Sequence, residues 1–183
     1  MARVKILVPG YTTADSTDDE KTCATITLVQ DKSIVMVCDP GVLDNQKILV
    51  NALKKEGLTV DDVNYVFITH SHIDHYRNIG MFPKAKTLEY FGIWDGGSVK
   101  DWKENLTKDI KIIKTPGHNY DGLTLLVKTP KGVVAICGDV FWKKNYPKND
   151  AYASDPKKLQ ESRRKVLRFA DFIVPGHAGM YSV

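Results

Sequence analysis

The feature that most constrains the fold of this chain is a repeated pattern in which four apolar segments each lead into a residue that can bind a metal ion. Segments 66–69, 112–117, 134–138 and 173–176 directly precede His70, His118, Asp139 and His177, respectively. Apolar runs of this kind are typical of buried strands, which hold the residues at their ends in fixed positions. The pattern therefore predicts a strand-rich fold whose strand ends bring metal ligands into one cavity.

A cluster of three histidines and one aspartate follows the first of these segments. It reads His70-Ser71-His72-Ile73-Asp74-His75, and the chain has five histidines in all. Imidazole and carboxylate groups are ligands for zinc and for iron-group divalent ions. His70 and His72 are two residues apart and should point to the same side of an extended segment. Asp74 and His75 come after a turn toward a helix, where they can serve a second position nearby.

Length and composition restrict the class of protein. A chain of 183 residues is long enough for one full core, so we expect residues 1–183 to form a single domain. The net charge of +4 is mild and shows no basic block typical of nucleic-acid binding. Three cysteines without a Cys-x-x-Cys pair favour a reducing cytoplasm. We see no signal peptide and no run of the ~18–20 apolar residues that a membrane span requires.

Strand patterns outnumber helical ones in both halves of the chain. The predicted strands are 4–8, 24–30, 33–38, 63–69, 87–91, 110–114, 123–128, 133–140 and 172–174. Helices are predicted at 44–56, with Asp44 as cap and Gly57 as stop, and at 156–170, with Leu159, Val166, Leu167 and Ala170 among its buried positions. Segments 12–21 and 92–103 are predicted to be loops. This order favours an α+β fold in which sheets pack together with helices outside.

Taken together, these motifs resemble the metallo-β-lactamase-fold superfamily. The resemblance covers the opening hairpin, the His-x-His-x-Asp-His cluster, Thr-Pro-Gly-His, Gly-Asp and the final Pro-Gly-His. The compact size and the stretch 69–83 look most like the metallo-β-lactamase domain-containing protein 1 type. The resemblance implies a four-layer αββα sandwich with a dinuclear metal site at one edge.

The resemblance also implies a role for each ligand. One ion would be held by His70, His72 and His118, the other by Asp74, His75 and His177, and Asp139 would bridge the two. The implied enzyme is a hydrolase whose two ions, zinc or alternatively iron, share a hydroxide that attacks a carbonyl or phosphoryl centre. Asp74 and Asp139 are the predicted catalytic carboxylates. The summed charge of such a site is about +1, which favours an anionic or polarised small-molecule substrate.

Three other functions remain open at this point. A persulfide-dioxygenase type of oxidoreductase resembles the same motif but uses a single iron. A nuclease acting on RNA or single-stranded DNA would use the same ligands, and Lys143, Lys144 and Lys148 could then meet a phosphate. A non-catalytic metal-binding module is least favoured, because no ligand is missing. Substrate recognition would come from the loops 12–21 and 92–103 or from a second subunit, so a homodimer is also considered.

Several aromatic residues lie in predicted loops or next to ligands. Those that could line a substrate pocket are Trp94, Tyr120, Trp142 and Tyr181. The alternative is that they only pack the loops. Cys137, two residues before Asp139, is predicted to be a small core residue rather than a ligand.

Overall fold

A computed structural model describes residues 1–14 and 20–183 and shows short strands interrupted by three α-helices. In chain order the strands are β1 (Arg3–Val8), β2 (Tyr11–Thr12), β3 (Thr22–Cys23), β4 (Ile26–Asp31), β5 (Ile34–Cys38), β6 (Tyr65–Phe67), β7 (Lys86–Glu89), β8 (Gly92–Asp95), β9 (Ser98–Lys100), β10 (Ile110–Lys114), β11 (Leu123–Thr129), β12 (Gly132–Ile136), β13 (Phe172–Val174) and β14 (Tyr181–Ser182). The helices are α1 (Lys47–Lys55), α2 (Ile73–Tyr76) and α3 (Pro156–Phe169), and 3₁₀ helices lie at Val60–Asp62, Arg77–Met81 and Gly138–Val140.

The strands form two large mixed sheets, one from each half of the chain. The first has the order β1-β4-β5-β6-β7-β8-β9, and the second has the order β10-β11-β12-β13-β14. Strands β5, β6 and β7 are parallel neighbours, as are β12 and β13, and the remaining pairs are antiparallel. A separate small pairing joins β2 to β3. The predicted α+β class is confirmed.

Strand alternation explains why the two sheets face each other. On β12, Val134 and Ile136 join the central cluster that also contains Phe67 of the first sheet, whereas Ala135 faces the cluster under α3. On the first sheet, Val37 of β5 and Val66 of β6 face the cluster under α1. Successive strand residues point to opposite faces, so each sheet buries one face against the other sheet and one face against a helix. The result is the predicted four-layer αββα sandwich.

Both long helices differ in detail from the sequence prediction. Asp44 does not cap α1: the helix begins at Lys47, whose N–H donates to Asn45 Oδ1 at 2.9 Å. Gly57 ends the helix as predicted, with φ +74°. On α3, Leu167 was expected to be buried but is 41% exposed. The buried face of α3 instead contains Leu159, Ser162, Arg163 and Val166.

The prediction of a loop at 92–103 is wrong for most of these residues. Strands β8 and β9 form an edge hairpin here, with Asp95 paired to Ser98 across Gly96 and Gly97. Gly96 has φ +57°, which a two-residue hairpin turn requires and glycine adopts without strain. The strands are short and exposed, so apolar alternation gave little signal for them. The strand predicted at 133–140 also ends early, at Ile136, because the chain enters a 3₁₀ helix at Gly138.

Two further sequence predictions concern the opening loop and the membrane. Residues 15–19 of the predicted loop 12–21 lie outside the described residues. The predicted loop starts at the last residue of β2 and ends directly before β3. Among residues 1–14 and 20–183, no helix has both the length and the apolar character needed to span a membrane.

Candidate metal centre

The predicted metal ligands come together beyond the ends of four strands. His70 and His72 lie between β6 and α2, Asp74 and His75 lie in α2, His118 follows β10, Asp139 lies in the 3₁₀ helix after β12, and His177 follows β13. These residues form two groups, and within each group one possible ligand atom from every residue lies within 4.8 Å of the others. One group contains His70, His72, His118 and Asp139, and the other contains Asp74, His75 and His177. Each group therefore draws side chains from both sheets.

Asp139 contacts side chains of both groups. Its Oδ1 lies 3.3 Å from His75 Nε2 and 3.1 Å from His177 Nε2. Its Oδ2 lies 3.3 Å from Nε2 of His118 in the other group. The carboxylate is 95% buried, so its charge is poorly screened by water. This is the position that a residue shared between two ions would occupy.

Glycines before the ligands are required by close approach. A Cβ on Gly176 would lie 1.8 Å from Asp139 Oδ1, which leaves no room for any side chain. A Cβ on Gly117 would lie 2.1 Å from the backbone nitrogen of Leu159, and Gly117 also has φ +134°. The Pro-Gly-His motifs therefore place each histidine where only glycine can precede it.

Two of the histidine rings are held by buried carboxylates. Nδ1 of His118 lies 2.7 Å from Asp150 Oδ2, and Nδ1 of His75 lies 2.8 Å from Asp39 Oδ2. An ionised carboxylate only accepts hydrogen bonds, so these Nδ1 atoms carry the protons. The Nε2 atoms of His118 and His75 then face the cluster, where the neutral form of each ring presents a lone pair, as in carboxylate–histidine–metal arrangements.

The strand β3 holds ligands of the second group. Nδ1 of His177 donates to the carbonyl oxygen of Cys23 at 3.1 Å, so the neutral form of this ring also presents its lone pair at Nε2. The hydroxyl of Thr22 donates to Asp74 Oδ2 at 2.9 Å. The short strand thus fixes one imidazole and one carboxylate at once.

The polar atoms inside the cluster suit a cation. Nε2 of His70, Nε2 of His75 and Oδ1 of Asp139 are buried and make no hydrogen bond within the described chain. His118 Nε2 and His72 Nδ1 face each other at 3.0 Å. Buried polar atoms without a hydrogen-bond partner are rare in folded proteins and often mark a site where an ion binds. Divalent metal ions would satisfy these lone pairs, so the residues present fit the implied cofactor.

The charges of the cluster also match metal binding. Burial, with the neighbouring His75, lowers the pKa of His70 well below its usual value. Burial would raise the pKa of Asp139, but His177 and His75 hold it well below its usual value. For His75, burial acts to lower the pKa, yet Asp39 and Asp139 raise it well above the usual value. The buried carboxylates thus attract positive charge into a site that includes neutral imidazole, and metal ions need ligands that have lost their protons.

Comparison with known proteins agrees with this geometry. The model of the family described as the metallo-beta-lactamase superfamily matches residues 24–99. Metallo-beta-lactamase domain-containing protein 1 of Xenopus laevis is 29% identical over 98% of this chain and 81% of its own length. The human protein of that name is 31% identical over 81% of this chain and 59% of its own length. This chain belongs to the metallo-β-lactamase superfamily.

Solved structures support the same fold. A candidate metallo-β-lactamase from Thermotoga maritima superposes with a TM-score of 0.79 at 24% identity, covering 100% of this chain and 99% of that one. The metallo-β-lactamase fold is therefore confirmed. The predicted enzyme class agrees with a relative from Methanocaldococcus jannaschii that is named a probable metallo-hydrolase and is 29% identical over 79% of this chain and 71% of its own length. The chain spans only about three-fifths of the human relative, so activities of that whole protein are not transferred by the match.

A cleft of about 150 Å³ lies directly beside the two ligand groups. Its described lining consists of Thr12, Ala14, Glu20, Thr22, His72, Asp74, Asp139, Trp142, Tyr152 and His177. Trp142 packs edge-on against His118 and His177, with ring centroids 6.2 and 6.3 Å apart, and stacks on Tyr152 at 5.8 Å. The hydroxyl of Tyr152 donates to the Glu20 carboxylate. The wall of the cleft is therefore aromatic and acidic.

The four aromatic residues predicted to line a substrate pocket lie in different places. Trp142 lines this cleft. The other three do not appear in its described lining: Trp94 donates from Nε1 to Glu89 at 2.6 Å, Tyr120 is exposed, and Tyr181 packs beside the cluster under α3. A substrate role for them stays a prediction. Cys137 is 2% exposed in that same cluster, as expected of a core residue.

Sequence reasoning missed the residues that support the ligands. Asp39 follows the apolar strand β5, so the rule that located the other strand-end ligands could have found it. Asp150, Glu20 and Tyr152 lie in irregular segments, where no periodic pattern identifies them. Thr22 lies in a strand of two residues, too short to give a signal.

Proposed function

We propose that this protein is a hydrolase that uses two divalent ions, zinc by preference, to add water to a carbonyl or phosphoryl centre. The proposal is supported above all by the two adjacent ligand groups that Asp139 contacts together. Each group contains three or more ligands, which is enough for one ion with a position left for water or substrate. A single ion would leave one buried group of lone pairs unsatisfied.

Different residues of the chain would have different roles in such a reaction. When bound, two divalent ions polarise the substrate oxygen and make a water molecule more acidic near neutral pH. Asp74 lines the cleft and is held by the Thr22 hydroxyl, so it can orient the attacking water and accept its proton. Trp142 covers His118 and His177 and limits the access of bulk water.

Metal analysis of the purified protein measures the number of ions and distinguishes the hydrolase from the alternative functions. We expect about two zinc ions per chain, with activity restored by zinc after chelation. One iron per chain, with sulfur-dependent oxygen uptake, would instead support the persulfide-dioxygenase reading. Steep salt dependence of RNA or single-stranded DNA binding would support a nuclease.

Substitution of Asp139 or His118 tests the catalytic assignment. Asp139→Ala and His118→Ala should each lower turnover more than about 100-fold, because even outer partners of metal ligands are worth ~10–100-fold. The matched control, Asp101→Ala, changes an exposed carboxylate and should keep wild-type turnover. Full activity in either ligand variant, with circular dichroism unchanged, would overturn the assignment.

The remaining expectations about context belong to the same proposal. We place the protein in the cytoplasm as one domain spanning residues 1–183. Free thiols at Cys23, Cys38 and Cys137 support a reducing compartment. A small-molecule substrate and a homodimer are further parts of the proposal, and size-exclusion chromatography with light scattering tests the second.

A further inference from the structure

The wall of the metal cleft carries a negative charge that the reaction itself does not use. Besides the predicted ligands, the described lining is Thr12, Ala14, Glu20, Thr22, Trp142 and Tyr152. Glu20 is the one formally charged side chain in that set, and the set includes no lysine or arginine. Its carboxylate lines the same cleft as His72, Asp74, Asp139 and His177.

Glu20 is held at the cleft by an aromatic partner. Tyr152 donates its hydroxyl to the Glu20 carboxylate and stacks on Trp142, with an interplanar angle of 29°. The bond to Glu20 raises the pKa of the Tyr152 phenol, so the tyrosine stays neutral at physiological pH. The Tyr152 side chain is 51% exposed, and an exposed aromatic ring beside a carboxylate can bind an ammonium group through its face and through charge.

Three basic residues near the site each contact another group of the described chain. Nζ of Lys144 lies 5.6 Å from the ring of Tyr181, and Nζ of Lys143 lies 5.3 Å from the ring of Tyr146. Arg163 donates from Nε to the carbonyl oxygen of Val140 at 2.9 Å. The basic residues behind the net charge of +4 are absent from the described lining of the cleft. Glu20 offsets one unit of the positive charge expected of two bound ions.

We infer that the cleft accepts an acyl substrate, such as an ester, thioester or amide, that carries an ammonium group close to the scissile carbonyl. The carbonyl lies at the ligand groups, and the ammonium group lies between Glu20 and the exposed ring of Tyr152. This inference rests on the proposed hydrolase function and names its substrate class. It disfavours phosphodiesters, whose negative charge would meet Glu20.

Binding of a matched pair of probes to the metal-loaded protein tests the inference without requiring turnover. Choline and its uncharged isostere 3,3-dimethylbutan-1-ol have the same shape and differ in charge. Titration calorimetry at low ionic strength should show choline binding at least ~5-fold more tightly. Glu20→Gln should remove this preference, whereas Glu161→Gln, the same change on the exposed surface of α3, should keep it.

Three outcomes would overturn the inference: equal binding of the two probes, binding of neither, or an unchanged preference in Glu20→Gln. Failure of the proposed function is seen separately, as a protein that holds no metal or that hydrolyses no ester, thioester or phosphodiester. A metal-loaded protein that hydrolyses neutral esters while ignoring choline would keep the proposed function and reject the substrate class.

Discussion

At the scale of single residues, the tightest constraint on the metal centre is the space beside Gly176. A Cβ at this position would lie 1.8 Å from Asp139 Oδ1, whereas a Cβ on Gly179 would meet nothing within 4 Å. We expect Gly176→Ala to displace the Asp139 carboxylate and to lower the metal content below two ions per chain. Gly179→Ala should keep the wild-type content. Elemental analysis of both variants after identical loading is the measurement, and equal metal content would contradict the steric argument.

A second prediction at this scale concerns Asp150, which orients His118 through a hydrogen bond of 2.7 Å. Asp150→Asn keeps the size of the side chain but removes the charge that fixes the proton on Nδ1. Metal affinity should fall by about 10–100-fold, as is usual for outer partners of metal-binding histidines. Competition with a zinc chelator measures this, and Asp101→Asn provides an exposed control. An unchanged affinity in Asp150→Asn would show that the carboxylate does not position the ring.

Residue identities at the centre could be predicted from sequence better than the contacts that hold them. His70 and Asp139 belong to local motifs that follow apolar strands, so their convergence follows from sheet geometry. Asp150 contacts His118 across 32 positions of the chain, through an irregular segment. Such a contact depends on the packing of loops, which no period in the sequence records.

At the scale of elements, α3 depends on one buried stripe against the second sheet. Leu159 is 1% exposed, while Leu167 on the same helix is 41% exposed. Leu159→Ala should lower the free energy of unfolding by about 2–5 kcal/mol, because it leaves a cavity in a packed core. Leu167→Ala should change it by less than about 1 kcal/mol. Urea unfolding of the two variants compares them directly, and a similar loss in both would mean that the helix packs differently.

The same scale shows where pattern reasoning fails. Buried strands such as β11 and β12 are apolar on both faces, and their positions were predicted to within a few residues. The hairpin β8–β9 lies at the edge of its sheet with exposed side chains, so its strands have no apolar face to detect. The Gly96-Gly97 pair was the remaining signal, and it was interpreted as part of a loop.

At the scale of the whole molecule, the centre joins the two sheets. His70 and His75 follow the first sheet, while His118 and His177 follow strands of the second. A ligand that binds only the folded state stabilises it by about 2.7 kcal/mol when present at 100 times its dissociation constant. For a chain of this length that raises Tm by roughly 5–11 °C.

Chelation therefore should lower Tm by several degrees, and added zinc should restore it. Scanning calorimetry on apo and reloaded protein measures the change. His118→Ala, which removes a ligand from the second sheet, should show a smaller response to zinc. Loss of metal without any change in Tm would contradict a binding site that spans both sheets.

The overall architecture followed from the sequence because each half repeats the same plan of strands with one long helix. The dimensions of the cleft did not, because they depend on irregular segments around Trp142 and Glu20. Irregular segments of this kind can change in length without affecting the sheets, so strand patterns contain no information about them.

The division of the ligands between the two sheets has a consequence for how the protein matures. Neither half alone supplies all the donors of either group, so neither group is complete until the two sheets have packed together. The apolar interface must close first, with imidazoles and carboxylates crowded together but unfilled. Metal supply would then decide when a newly made molecule becomes active, rather than whether it folds.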